Sequence, residues 1–220
     1  MTSLVDSKPY LSQTRFPILW TIFQYFIGGT IDKRELCEIH YNGEKNILEI
    51  GCSTGNIAHT FKKYKDISYT GLDIDSTVIK YAQKVFKQTP NFEFIDMDLR
   101  EYKNKAIKKF DFILFAGIIH HIDDTLSAEL LNCAINLLNT GGCIVVVEPL
   151  APEEKDPKFI HYFMKLEQGK YVRTESNMLA LVNSISKLNM ERAIVKYINA
   201  TPFKFPICAK FGIYQLRQKQ

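Results

Sequence analysis

Between residues 46 and 147, five short apolar runs alternate with segments of helical period, and this alternation limits the fold more than any other feature. The runs are Asn46 to Ile50, Ile67 to Leu72, Phe92 to Ile95, Phe110 to Phe115 and Cys143 to Val147. Nearly unbroken apolar runs are what strands buried on both faces require, as in parallel sheets. The intervening segments Ile57 to Tyr64, Ser76 to Phe86 and Thr125 to Leu138 read as helices, the second with Val78, Ile79, Ala82, Val85 and Phe86 at helical spacing. Strand–helix alternation of this kind demands right-handed crossovers and a doubly wound parallel sheet. Phe110 to Phe115 is the most apolar run and belongs near the centre. The alternation stops at Pro149 to Pro157, where three prolines interrupt it. Helices are expected over Phe159 to Gly169 and Ser176 to Lys187. Arg192 to Ile198 and Ile207 to Tyr214 read as strands joined by a Pro-containing turn, an antiparallel pair on the edge of the sheet.

The rest of the chain fits one globular unit. Its 220 residues, 46% hydrophobic and 24% charged, exclude a low-complexity or disordered chain. The net charge of +4 is mild and calls for no nucleic acid. The lysines at 62, 63, 65, 103, 105, 108 and 109 are interleaved with Asp66 and Glu101, as on a solvated surface. Five cysteines, an odd count without a C-x-x-C pair, point to reduced thiols in a cytoplasmic protein. No secretory leader is expected, because Asp6 and Lys8 stand where a basic start and an apolar run would be. Phe16 to Gly29 is shorter than the ~20 residues that span a bilayer. Ile18, Leu19, Ile22, Phe23, Phe26 and Ile27 make it an amphipathic helix expected to pack on the domain. With only Arg15 nearby, it leaves room for no more than a weak membrane-surface contact or a lipid-like acceptor. Ile31 to Tyr41 reads as a second helix.

The chemistry starts after the first run, at Glu49-Ile50-Gly51-Cys52-Ser53-Thr54-Gly55-Asn56. A glycine loop between a strand and a helix lets backbone approach a ligand closely. A dinucleotide fingerprint needs glycines at relative positions one, three and six, here Gly51, Ser53 and Asn56, and only the first matches. Glu-x-Gly-x-x-x-Gly instead resembles the first motif of class I S-adenosylmethionine (SAM) dependent methyltransferases, with Ser53 in place of the usual middle glycine. Tyr69 to Asp75 resembles that family's second motif, and Phe92 to Leu99 its adenine-contacting segment. Phe110 to Asp124, with its two histidines, resembles the fourth. Leu137 to Gly142 resembles the turn before the fifth strand, with Thr140 where proline is usual. The resemblance covers about residues 40 to 150. Phe23 to Gly29, with Gly28 and Gly29 at its end, and Gln168 to Thr174 are similar to a branch of small bacterial methyltransferases of mostly unassigned substrate.

That resemblance implies a Rossmann-like α/β domain over residues 1–220, with a doubly wound, mostly parallel seven-stranded sheet and an antiparallel C-terminal strand. Residues 1–41 would form an N-terminal helical cover, 42–148 the cofactor core, 149–190 a lid and helix, and 191–220 the C-terminal strand pair. It also implies methyl transfer from SAM, leaving S-adenosylhomocysteine, to oxygen or nitrogen of a small molecule. Glu49, Gly51, Cys52, Ser53 and Gly55 would hold the methionine end, and Asp73 with Ile74 the ribose. Asp98 and Leu99 would meet the adenine, or Asp96 and Met97 if the segment slips by two residues. Ala116, Gly117 and His121 would flank the methyl side.

A histidine beside the methyl position can act as general base near neutral pH, which singles out His120 and His121. Asp123 and Asp124 fit helix capping better than catalysis. Neighbouring residues in one turn do not converge easily on an ion, so no metal is expected from these four. Glu148, at the end of the fifth run, would point at the same rim. Tyr162, Tyr171 and Arg173 would suit an apolar acceptor bearing an acid group, and Tyr10 and Arg15 would belong to the cover. A methyltransferase acting on RNA or protein, and a non-catalytic SAM-binding module, are the competing readings.

Overall fold

The computed structural model describes residues 17–27, 29–105, 108–165, 167 and 169–219. Seven strands form one sheet: β1 (Asn46–Ile50), β2 (Ser68–Asp73), β3 (Phe92–Asp96), β4 (Phe110–Ala116), β5 (Leu138–Leu150), β6 (Leu188–Asn199) and β7 (Ile207–Gln218). Their order is β3-β2-β1-β4-β5-β7-β6. β3, β2, β1, β4 and β5 run parallel, and β7 is antiparallel to both β5 and β6. The doubly wound expectation therefore holds, and the chain reverses direction only at β7.

The apolar runs are buried on both faces because each face has its own helical layer. Leu48, Ile50, Ile113, Phe115, Ile144 and Val146 face one core. Ile47, Phe112, Leu114, Cys143, Val145 and Val147 face the other. The alternation is the two-residue period of a strand. The first core is covered by α6 (Asp124–Ile135) and α8 (Glu175–Asn183), and the second by α2 (Thr30–Glu38), α3 (Ala58–Phe61) and α4 (Ser76–Val85). Asp75 and Asp123 cap α4 and α6, accepting from the backbone N–H of Thr77 and Leu126.

Three elements differ from the periodicity. A helix absent from the sequence reading, α5 (Leu99–Lys105), follows β3 and buries Leu99 in the first core. β5 begins at Leu138, so the Gly141-Gly142 turn lies within it as an irregularity: Phe110 pairs with Leu138 but Phe112 pairs with Cys143. The N-terminal helix α1 (Pro17–Ile27) exists and contacts α2, but Ile18, Leu19, Ile22 and Phe26 are exposed rather than packed. Between β5 and α8, the chain carries a short helix α7 (Lys158–Met164).

The carboxylate of Asp111 ties together the ends of three neighbouring strands. It accepts from the Asn46 backbone N–H at 2.9 Å, the Asn46 side chain at 3.0 Å and the Asn139 side chain at 2.6 Å. Burial works against its charge, yet the Asn139 and Asn46 donors hold its pKa below the usual 3.8. A depressed carboxylate pKa stabilises the fold above the ordinary value, and that stabilisation is lost as pH falls through the folded value. Asp111→Ala is expected to cost roughly 1.5–3 kcal/mol at pH 7, the usual worth of hydrogen bonds to a charged group. Urea unfolding at pH 7 and pH 3 checks this: the gap between variant and wild type should narrow in acid, and an equal gap at both would refute the charge argument.

Candidate active site

The rim formed by the C-terminal ends of β1, β2, β4 and β5 gathers most of the chemistry. After β1 the chain turns sharply, with φ of +70° at Gly51, +48° at Ser53 and +79° at Gly55. Gly51 and Cys52 both donate their N–H to the Leu72 carbonyl, at 2.8 and 3.0 Å, which curls the loop over the end of β2. A non-glycine residue with positive φ stores strain of order 1–3 kcal/mol and persists only where its surroundings hold it. Asp73 does the holding: its Oδ2 accepts from Ser53 N–H at 2.8 Å, and its Oδ1 accepts from Asp75 N–H at 3.0 Å. Burial raises the pKa of Asp73, against the lowering effect of those N–H donors. A carboxylate accepts about four hydrogen bonds, so acceptor capacity remains for a ligand. Next to it Ile74 is 72% exposed, an apolar side chain presented to solvent beside the loop.

The next strand end offers a carboxylate already in use. Asp98 accepts from the Arg100 backbone N–H at 2.7 Å and from its guanidinium at 2.9 and 2.8 Å. The Arg100 hydrogen bonds lower the pKa of Asp98. Asp96 is exposed and Met97 is half-buried.

The turn after β4 is built around Glu148, on β5, which is 1% exposed. Its Oε1 accepts from the N–H groups of Ile118 and Ile119, each at 2.8 Å, and its Oε2 accepts from that of His120 at 3.3 Å. The same Oε2 lies 2.7 Å from His120 Nδ1. On the opposite side of the turn Arg173 takes the carbonyls. Its guanidinium donates to Ile119 O and Ile122 O at 2.9 Å, to Tyr171 O at 3.0 Å, and to Asp124 at 2.7 Å. Two buried, opposite charges thus satisfy both kinds of backbone group that a helix-like turn leaves over.

The segment after α7 closes against this turn. Tyr171 N–H donates to His120 O at 2.9 Å, and Ala151 N–H donates to Arg173 O at 2.8 Å. A Cβ on Gly169 would lie 2.2 Å from the His120 ring, so only glycine permits the approach. Glu167 then comes to 3.5 Å from His120 Nε2. Burial lowers the pKa of His120, but hydrogen bonds to Glu148 and Glu167 outweigh it and push it up to about 9. Desolvation and the neighbouring His120 move His121 the other way, below its ordinary 6.5. The rings of the two histidines are 4.0 Å apart, yet their surroundings push their pKa values in opposite directions.

Residues 47–142 match the model of the methyltransferase domain family. They contain the glycine loop, Asp73 and the histidine turn. This match and the relatives that follow are consistent with a class I SAM-dependent methyltransferase. It is 26% identical over 199 residues to malonyl-[acyl-carrier protein] O-methyltransferase 1 of Ilyobacter polytropus, covering 76% of this chain and 73% of that one. It is 28% identical over 200 residues to carboxy-S-adenosyl-L-methionine synthase of Helicobacter pylori strain G27, covering 80% and 79%. Among solved structures, mitomycin 7-O-methyltransferase MmcR superposes with a TM-score of 0.67 at 18% identity over 87% of this chain. The chain spans about half of MmcR, 54% of its length. SAM is the family's cofactor. The positive-φ loop and exposed Ile74 beside Asp73 fit such a molecule: bare backbone for the amino-acid end, a carboxylate for hydroxyls, and an apolar surface for the base.

The chain spends several expected ligands internally. Arg173 is 8% exposed with its guanidinium on backbone carbonyls and Asp124, so it holds the turn instead of an acid group on an acceptor. Glu148 lies under the turn, not on the rim, because three N–H groups draw it inward. Glu49 points to the second core and accepts from the Tyr69 hydroxyl, and burial raises its pKa well above the usual range. The Cys52 thiol and the Leu99 side chain are buried, so what Cys52 presents to the loop is backbone. Tyr162 and Tyr171, both between β5 and α8, are exposed, while Ala116 and Gly117 line the start of the turn. Tyr10, Arg15, Gly28 and Gln168 lie outside the described residues. Glu167 was not singled out from sequence. Only the glycine two residues later hinted that the chain must pass close to something there.

Replacing Arg173 by Lys removes the fork that reaches several carbonyls at once. Arg173→Lys is expected to lose at least about 2 kcal/mol, since each orphaned buried carbonyl costs about 1–3 kcal/mol. It should also speed proteolysis between residues 150 and 172. An unchanged urea midpoint would show that the guanidinium does not hold the turn.

Proposed function

We propose that the chain transfers a methyl group from SAM to an oxygen or nitrogen atom of a small-molecule acceptor, with a hydroxyl as the stronger reading. The observation that carries it is the histidine turn itself. His121 stands beside a His120 locked by Glu148, at the end of β4 and next to the glycine loop: Ile118 of the same turn packs where a Cβ on Gly51 would go, 2.7 Å from that position, and the surroundings lower the pKa of His121 while raising that of His120. Bound in that cleft, SAM supplies an electrophilic methyl on a sulfonium. Gly51, Ser53 and Gly55 offer their backbone to its methionine end, Asp73 accepts from the ribose hydroxyls, Ile74 covers the base, and Asp98 remains the favoured acceptor for the adenine amine. Positioning supplies much of the rate, because effective molarities reach about 10⁵–10⁸ M. His121 accepts the hydroxyl proton, and Glu148 with His120 keeps the turn in place while it does so.

Two further observations bear on the acceptor, the first on its size and the second on its reacting atom. The basic clusters lie away from this rim, at the opposite ends of the strands: Lys62, Lys63 and Lys65 precede β2, and Lys108 and Lys109 precede β4. Lys63 and Lys105 are also paired with Glu38 and Glu101. The related malonyl-[acyl-carrier protein] O-methyltransferase carries an oxygen acceptor in its name.

Calorimetric titration with S-adenosylhomocysteine, with NADH as control, tests the cofactor half. Micromolar binding of the first alone is expected, weakened at least ten-fold in Asp73→Ala; binding of NADH instead would overturn the assignment. With an acceptor found by screening, His121→Ala should lower kcat by about 10²–10⁴-fold, the range of a general base. Wild-type turnover in that variant would remove His121 from the mechanism. Mass analysis of the SAM pool tests a reading that the relatives add: accumulation of carboxy-SAM in place of S-adenosylhomocysteine would align the chain with the carboxy-SAM synthases it resembles.

A further inference from the structure

Two adjacent histidines do not by themselves make a metal site, and the aspartates that follow them are engaged elsewhere: Asp123 caps α6 and Asp124 pairs with Arg173. The third group comes from the other side of the cleft. Glu167 is 46 residues beyond His121 in sequence, counted from their numbers, and reaches the histidines because Gly169 lets its segment lie against the His120 ring. One ligand atom each from His120, His121 and Glu167 then falls within 4.8 Å of the others. The His120 Nε2 to Glu167 Oε1 distance is 3.5 Å. Ligand atoms on a tetrahedral zinc, with bonds of about 2.0–2.1 Å, stand about 3.4 Å apart.

We propose that His120, His121 and Glu167 bind a divalent transition-metal ion, zinc in the first instance, on the acceptor side of the cleft. The arrangement around His120 is the strongest argument. Its Nδ1 faces the buried Glu148 carboxylate at 2.7 Å, so Nδ1 keeps its proton and Nε2 is the nitrogen that can ligate. A carboxylate behind a ligating histidine is the usual support of a metal-bound imidazole, fixing both its tautomer and its orientation. The ion takes the place of the Nε2 proton that otherwise bridges to Glu167, and binding releases that proton. Two imidazoles and one carboxylate suit zinc and its first-row neighbours better than calcium or magnesium. Three protein ligands also leave a fourth position open, the pattern of catalytic rather than structural zinc.

The ion would join the turn after β4 to the segment after α7 and so hold the cleft closed. Its role in turnover rests on the methyltransferase reading above, but its presence does not. With the ion bound, His121 is a ligand and cannot also take a proton, so the base role given to it above belongs to the metal-free chain, and in the metal-bound chain the ion would make an acceptor hydroxyl acidic.

The full chain, stripped with chelator, is titrated with Zn²⁺ by calorimetry and with Co²⁺ by visible absorption. One equivalent bound at micromolar affinity or tighter is expected, with the d–d bands of a low-coordinate Co²⁺ site. Glu167→Gln and His121→Ala should each weaken binding at least ten-fold, while S-adenosylhomocysteine titration of Glu167→Gln shows the cofactor cleft intact. No saturable binding by the wild type, or one equivalent bound equally well by both variants, overturns the proposal. Stoichiometric Zn²⁺ binding without S-adenosylhomocysteine binding would leave the metal site standing and remove the cofactor reading, so the two can fail separately.

Discussion

The structure depends on one buried carboxylate. Glu148 ends the apolar stretch of β5 with a charge that is 1% exposed, and burying a charge is costly unless it is paired and hydrogen-bonded. The chain meets this cost with three backbone N–H groups and the His120 ring, which forces residues 118–120 into a single turn around it. Arg173 completes the frame from the other side by taking the carbonyls of Ile119 and Ile122. Removing either charge would leave the other in a low-dielectric setting beside unpaired backbone, so the turn, the histidines and the segment after α7 are set as a unit.

That frame explains how two neighbouring histidines come to differ. Identical side chains one residue apart would titrate together in water. Here His120 lies between Glu148 and Glu167, whereas His121 faces its charged neighbour and is partly desolvated. Environments that push two titratable groups apart are the usual sign of divided roles in a site. The same geometry supplies one histidine with an outer carboxylate and brings the other into a cluster with Glu167.

The parts of the molecule written in local pattern were legible. Apolar runs of four to six residues with helical segments between them gave the parallel sheet, because a strand buried on both faces has no alternative composition. The glycines at 51 and 55 announced a loop that side chains would obstruct, and both have positive φ. Ser53 shares that conformation without being glycine, and sequence offered no sign of the Asp73 carboxylate that holds it. Helix α5 was missed because Leu99-Arg-Glu-Tyr-Lys-Asn-Lys buries only Leu99, too little to show a period. The exposure of α1 was missed for the opposite reason: periodicity marks an apolar face but not whether anything covers it.

The sequence by itself determined the sheet, the place of the cofactor loop and the position of two histidines after the fourth strand, since each is encoded within a few consecutive residues. Only the tertiary structure decided what the charges near them do. Arg173 and Glu148 read as surface groups available to an acceptor, and both turn out to be buried supports. Glu167 read as nothing and meets the histidines. The reason is distance along the chain: Arg173 contacts Ile119 and Ile122 across 54 and 51 residues, and Glu148 contacts Ile118 across 30. Pairings of that range are set by how folded layers dock, and no local pattern of residues records them.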